Sequence, residues 1–184
     1  MSKAKVSSAI AAAMAAGIAL ALPHTSGFEG REYVAYRDIG GVWTVCDGAT
    51  KGIRMDYVYT DAECDAKTAA DLQHAADVVR RNVKEEVAAE MPATRWAAFV
   101  DWVYNLGEGN FKRSTMLKKL NAGDVLGACM AIMDWMYVAG KDCRLKESKC
   151  GGIPKRREWE MTMCLLPAQE APPPRPWWKF WEAG

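Results

Sequence analysis

The chain is poor in histidine: His24 and His74 are the only two among 184 residues, and there is no C-x-x-C or H-x-x-x-H spacing. A zinc site of the usual ligand spacing is therefore not expected. An excess of one charge is also missing. The 24 Lys and Arg against 23 Asp and Glu leave a net +1, so nothing global selects a nucleic acid, and a polyanion site would have to be local. Internal repeats are absent. With 50% hydrophobic and 26% charged residues, the composition excludes a disordered chain and suits one ordinary domain with appendages.

Large apolar residues are scarce where they would be most expected. Lys3 and Lys5 precede 17 uncharged residues, Val6 to Leu22, of which 11 are Ala, Gly or Ser. As a helix this run would span roughly 26 Å, near the thickness of a bilayer's hydrocarbon core. The lysines would keep the N-terminus cytoplasmic and send the downstream chain across. Val6, Ile10, Met14, Ile18 and Leu22 recur every fourth position, a drifting helical stripe. Three readings stand: a permanent anchor, a signal peptide cut after Ala19-Leu20-Ala21, or an anchor weak enough to leave the bilayer and dock its stripe on the protein. The poverty in Leu, Ile and Phe, and the nearness of Pro23 to any cut, favour the third.

Six cysteines, an even count beyond an apolar leader, indicate an oxidising compartment and up to three disulfides, with 15 possible pairings. Residues 33–50 carry aromatic and β-branched residues around Gly40-Gly41, which predicts a hairpin. Thr60-Asp61-Ala62-Glu63 fits a capping box, predicting a helix to about Ala89 that buries Leu72, Ala76, Val79, Val83 and Val87 and ends before Pro92. A second helix stacks Trp96, Phe99, Val100 and Val103 and stops at Gly107, and shorter ones are predicted near 114–121, 123–138 and 154–166. This is an α+β layout with a cleft between its two parts. From Pro167 a proline-rich spacer leads to Trp177-Trp178-Lys179-Phe180-Trp181, read either as a tail folding back or as an interfacial anchor.

Glu29 and Asp38 stand nine residues apart, with Thr44 six further on. Hydrolysis of a glycosidic bond uses two carboxyl groups in different states, one giving a proton to the leaving oxygen and one ionised to direct water. That spacing alone carries little information, because acidic residues are common. Its surroundings are more specific. F-E-G at 28–30, A-Y-R-D at 35–38, W-T at 43–44 and G-A-T at 48–50 together resemble the phage-type lysozymes, glycoside hydrolase family 24. The likeness continues in WVYNLGEGNFKRSTMLKKLNAGD at 102–124, DWMYVAG at 134–140 and CRLKESKCGGIPKRREWE at 143–160. The Ala/Gly-rich leader is similar to that of the signal-anchor-release endolysins, a membrane-tethered branch of the family.

The resemblance implies a lysozyme-like fold: a small β-containing lobe and a larger helical lobe joined by a long helix. It implies a muramidase cutting the β-1,4 bond between N-acetylmuramic acid and N-acetylglucosamine, with inversion and without cofactor or metal. Glu29 matches the general acid, Asp38 the carboxylate that directs water, and Thr44 the hydroxyl that holds it. Tyr104 and Ser114 match glycan-contacting positions, although Tyr104 also suits a core and Ser114 a helix cap. Arg156, Arg157 and Glu160, on the family's R-R-x-x-E stretch, are read as structural ion pairs, and Asn105 as packing or turn. The implied disulfides are Cys46–Cys64, Cys129–Cys164 and Cys143–Cys150, the first of which would make activity depend on oxidation.

Two departures stand out. Ala49 replaces the histidine of relatives, and Asp47 adds an acid whose charge, if close, would favour a protonated Glu29. Upstream, Pro23-His24-Thr25-Ser26-Gly27 predicts a hinge before Glu29 in place of a stiff helix. The expected organisation is a signal-anchor and hinge over 1–26, a lysozyme domain over 27–166 and a tail over 167–184. The expected partners are peptidoglycan glycan strands and, through residues 6–22, the host inner membrane. The domain would be periplasmic, then released as a monomer. A non-catalytic peptidoglycan-binding protein and a lytic transglycosylase are the alternatives.

Overall fold

The computed structural model describes residues 3–38 and 41–167. The aromatic run 177–181 and the spacer beyond Pro167 lie outside the described residues.

Helix α1, Lys3–Glu29, is continuous through Pro23. This corrects the predicted hinge. Local rules expect Pro, Ser, Thr and Gly to break the helix, but here it lies along α4 (Ala93–Arg113) and α2 (Asp61–Asn82), and packing overrides propensity. Ile10, Gly17, Ala21 and Thr25 are its buried residues, while Val6, Met14, Ile18 and Leu22 pack half-buried beside the core. The stripe drifts as its fourfold spacing predicts, and the deepest contact passes to the smallest residues. At Gly17 the two helices nearly touch: a Cβ there would lie 2.5 Å from Trp96 Cβ and 2.9 Å from the Ala93 carbonyl oxygen. Gly30, at φ +75°, supplies the left-handed residue that ends α1 directly after Glu29.

Strands β1 (Glu32–Arg37) and β2 (Trp43–Cys46) pair antiparallel, with Tyr36 opposite Thr44 and Arg37 opposite Trp43. The inner end of this lobe has a small core, formed by Val45, Cys46, Ala49, Tyr59 and Cys64. Ala49 contributes a buried methyl group there and exchanges backbone hydrogen bonds with Val45.

The capping box forms, with the Thr60 hydroxyl and Glu63 carboxylate each taking the other's backbone N–H. The helix it starts is shorter than predicted. It breaks at Val83 and resumes as α3, Glu85–Ala89. Asn121 makes the break tolerable: its side chain accepts from Lys84 N at 2.8 Å and donates to Asn82 O at 2.9 Å. Helix α4 carries the main core through Trp96, Phe99, Val100 and Trp102, and is interrupted at Gly107, φ +81°. After it come α5 (Thr115–Asn121), α6 (Val125–Met130) and a 3-10 turn at Ala131–Asp134. Where the sequence predicted helix to 138, β3 (Tyr137–Val138) and β4 (Lys141–Asp142) form a small hairpin instead. Helix α7, Gly152–Leu165, closes the lobe against α4.

All six cysteines are bridged. Cys46–Cys64 ties the end of β2 to α2, Cys129–Cys164 ties α6 to α7, and Cys143–Cys150 closes the loop before α7.

Candidate active site

Glu29, the last residue of α1, stands where two hollows meet. The larger, about 420 Å³, runs between the lobes; Asp47, Gly48, Thr50 and Lys51 line one wall, and Asp71, His74, Tyr104 and Glu108 line another. The smaller, about 180 Å³, lies among Phe28, Asn105, Cys150, Ile153 and Arg156. Glu29 borders both. The larger hollow has the size of a small-molecule site.

Glu29 is held by Arg156, whose Nη1 donates to its Oε1 at 2.5 Å. Arg156 is itself buried and forked onto Asp101, Nε to Oδ2 and Nη2 to Oδ1, each at 2.9 Å. Burial pushes the Asp101 carboxyl up, but the charge and hydrogen bonds of Arg156 outweigh it and hold the group below the usual carboxylate range. Glu160, equally buried, is pushed up by burial even with Arg157 beside it. Arg157 also donates to Asn105. Arg156 forms ion pairs as the sequence suggests, and one of them is with Glu29. The i, i+4 spacing to Glu160 hid a partner 127 residues away.

Asp47 does not act on Glu29 as a free charge. It is fully buried and receives Arg31 Nε at 2.8 Å, Arg31 Nη2 at 2.7 Å, and the hydroxyls of Ser26 and Thr68 at 2.7 Å each. Burial opposes ionisation, yet these donors hold its carboxyl below the ordinary value. Arg31 pairs with that charge, so Asp47 is not the lone additional acid that the sequence suggests.

Tyr104 lines the larger hollow and donates its hydroxyl to the Asp47 carbonyl at 2.7 Å. Burial, then the charges of Glu29, Asp71 and Asp47, pushes its phenol up, so it stays a donor. Ser114 is buried, donating to Phe111 O at 2.8 Å and accepting from Leu117 N at 3.1 Å as the cap of α5. It lines neither hollow, and its hydroxyl is used by the cap.

Asp38 and Thr44 do not line either hollow. They meet around Val42 at the hairpin's outer end. Asp38 Oδ1 accepts from Val42 N at 2.8 Å, and the buried Thr44 hydroxyl donates to Val42 O at 3.1 Å. The three matched residues thus fall into two groups, Glu29 at the cleft centre and Asp38 with Thr44 in the hairpin. Asp71 and His74 in the cleft wall were not foreseen. Their spacing with Ala75 and Val78, all on one face of α2, was the available signal. Among the described residues, no cluster of His, Cys, Asp and Glu is arranged to hold a metal ion.

The family model described as phage lysozyme matches residues 26–160. The SAR-endolysin of Enterobacteria phage PA-2 is 41% identical over 140 residues, 76% of this chain and 78% of that one. Among solved structures, the muramidase domain of SpmX from Asticaccaulis excentricus is similar at TM-score 0.66 and 26% identity, over 83% of this chain and 96% of that one. The endolysin from Escherichia coli O157:H7 phage FAHEc1 is similar at TM-score 0.63 and 26% identity, over 82% and 90%.

Proposed function

The chain belongs to the phage lysozyme family, and from that premise we propose that it is a phage endolysin, a muramidase that is membrane-tethered at first and active once released. The observation that carries this reading is Glu29, set by a long apolar helix at the junction of the two hollows. Glu29, whose Oε1 accepts from Arg156, carries its proton on Oε2 and gives it to the leaving oxygen of the β-1,4 bond between N-acetylmuramic acid and N-acetylglucosamine. Asp38 and Thr44, gathered at Val42, are the carboxylate and hydroxyl that hold the attacking water. Tyr104 lines the glycan's path.

Helix α1 is, among the described residues, the one helix long and apolar enough to cross a membrane. A helix cannot place residues 6–22 in a bilayer and lie on α4 at once. Tethering therefore leaves the cleft without its docked helix, and release supplies it. In this reading residues 1–26 are the anchor, 27–166 the enzyme and 167–184 a tail, and the released enzyme is a monomer.

The test compares clearing of Gram-negative cells stripped of their outer membrane. Wild type clears and Glu29→Gln loses activity by about a hundredfold or more. Equal clearing removes Glu29 from the mechanism. One observation favours a second chemistry: Asp38 lies outside the cleft lining, and a Glu29 that works without that partner also suits a lytic transglycosylase. Mass spectrometry of the released fragments decides, since hydrolysis leaves reducing ends and the alternative leaves 1,6-anhydro ends.

A further inference from the structure

Thr25 lies one helical turn before Glu29 on α1, fully buried, in the segment whose composition suggested a hinge. Its hydroxyl is 2.6 Å from Asp101 Oδ1 on α4 and 3.1 Å from the Ala21 carbonyl. A hydroxyl has one proton to give. The nearer, ionised oxygen takes it, because a charge-assisted bond is shorter and stronger than a neutral one. Both oxygens of Asp101 are also engaged by Arg156 of α7, whose remaining nitrogen reaches Glu29. The contacts form a closed ring, from α1 to α4 to α7 and back to α1 four residues on.

We infer that Thr25 and Asp101 are positioning residues for Glu29, through which the docking of α1 aims the Arg156 guanidinium at the carboxylate. This rests on the reading of Glu29 as the reacting acid.

The geometry supplies the reason. A guanidinium is planar, with its donors in a rigid fork. Two of its nitrogens on one carboxylate fix the plane, and the direction of the third is then set. The carboxylate must itself be fixed, and Asp101 is buried where α1, α4 and α7 meet: α7 brings it Arg156 and Glu160, and a docked α1 brings one donor more. The Thr25 hydroxyl is the donor that α1 contributes. With α1 in the membrane that donor is gone, the site of Thr25 opens, and Asp101 and Arg156 lose the partner that sets their orientation. Glu29 is then displaced and also lacks an aimed cation. The neighbouring residue works toward the other lobe, since the Ser26 hydroxyl donates to Asp47 at 2.7 Å. Thr25 differs because its chain of contacts ends on Glu29.

The test uses the full-length released protein with its disulfides intact. Steady-state kinetics on purified peptidoglycan are measured for Thr25→Val, which keeps the shape and removes the hydroxyl, and for Thr25→Ser, which restores it. Amide exchange over residues 10–24 reports docking. Thr25→Val is expected to lose about tenfold or more in kcat with KM within about twofold, because small misplacements of a reacting group are costly. Its α1 should exchange as in wild type, and Thr25→Ser should recover to within about twofold.

A wild-type kcat in Thr25→Val overturns the inference, as does a Thr25→Ser no better than Thr25→Val. An α1 that exchanges as if undocked in Thr25→Val also overturns it, since the hydroxyl then merely holds the helix. If Thr25→Val does not fold, Asp101→Asn carries the test: it still accepts from Thr25 but opposes Arg156 with an amide. Its kcat should fall with docking intact, and a wild-type kcat overturns the proposal. An inactive Glu29→Gln beside a fully active Thr25→Val refutes this inference alone, whereas an active Glu29→Gln refutes the reading beneath it.

Discussion

Replacing Gly17 by alanine is expected to leave membrane exit intact and to weaken docking of α1. The added Cβ would lie 2.5 Å from Trp96 Cβ, 2.9 Å from Ala93 O and 3.0 Å from Ala97 N. All three atoms are fixed by the α4 backbone, so no side-chain rotation relieves them. Carbon atoms in contact normally sit about 3.5–4.0 Å apart, so the helices must separate by about 1 Å. Overpacking of this kind costs about 1–3 kcal/mol, a roughly 5- to 150-fold fall in the docking constant. Alanine is the better helix former by about 0.8–1.0 kcal/mol, but α1 is helical both in the bilayer and docked, so that gain cancels. The separation also carries forward to Thr25 and Glu29, roughly 12 to 18 Å along the same helix. Gly27→Ala is the control, because nothing lies within 4 Å of a Cβ there. Thermal midpoints and clearing rates of the two released proteins should diverge, with Gly17→Ala low in both and Gly27→Ala at or above wild type. Gly17→Ala matching Gly27→Ala in both measurements would refute the close helix contact.

The β lobe provides two further tests. Replacing Cys46 and Cys64 together by serine opens a loop of 18 residues and should cost about 3 kcal/mol in denaturant unfolding; unchanged stability would contradict the tie between β2 and α2. Asp47 has a depressed folded-state pKa, so its stabilisation is complete above the unfolded carboxylate value, about 3.9, and fades as pH falls through the folded one. Asp47→Asn should therefore be less stable than wild type at neutral pH, with the gap closing below about pH 4, and a gap constant from pH 7 to 3 would argue against the ionised network.

Features set by neighbours in the chain were legible. The Thr60–Glu63 capping box, the stop at Gly107 and the drifting stripe of α1 each depend on residues within two turns. The features that escaped depend on distant partners. The break at Val83 relies on Asn121, the unbroken helix through Pro23 on docking against α4, and the role of Arg156 on Glu29. Thr25 and Ser26 are the plainest case: local rules make them cap and turn formers, but here their hydroxyls serve two buried carboxylates on opposite lobes. For the site, motif likeness singled out Glu29, which borders both hollows. It did not reveal that Asp38 and Thr44 gather around Val42 outside the cleft lining, nor that Arg31 pairs with Asp47.

The central claim is that the apolar helix of the membrane-bound protein becomes part of the enzyme. The most direct measurement is the intact mass and N-terminal sequence of the soluble, active protein recovered after membrane depolarisation. A start at Met1 or Ser2 is expected, with Ile10, Gly17 and Thr25 retained in the fold. A fully active chain beginning at Leu22 would contradict it, because most of the docked helix would be gone while the cleft still worked.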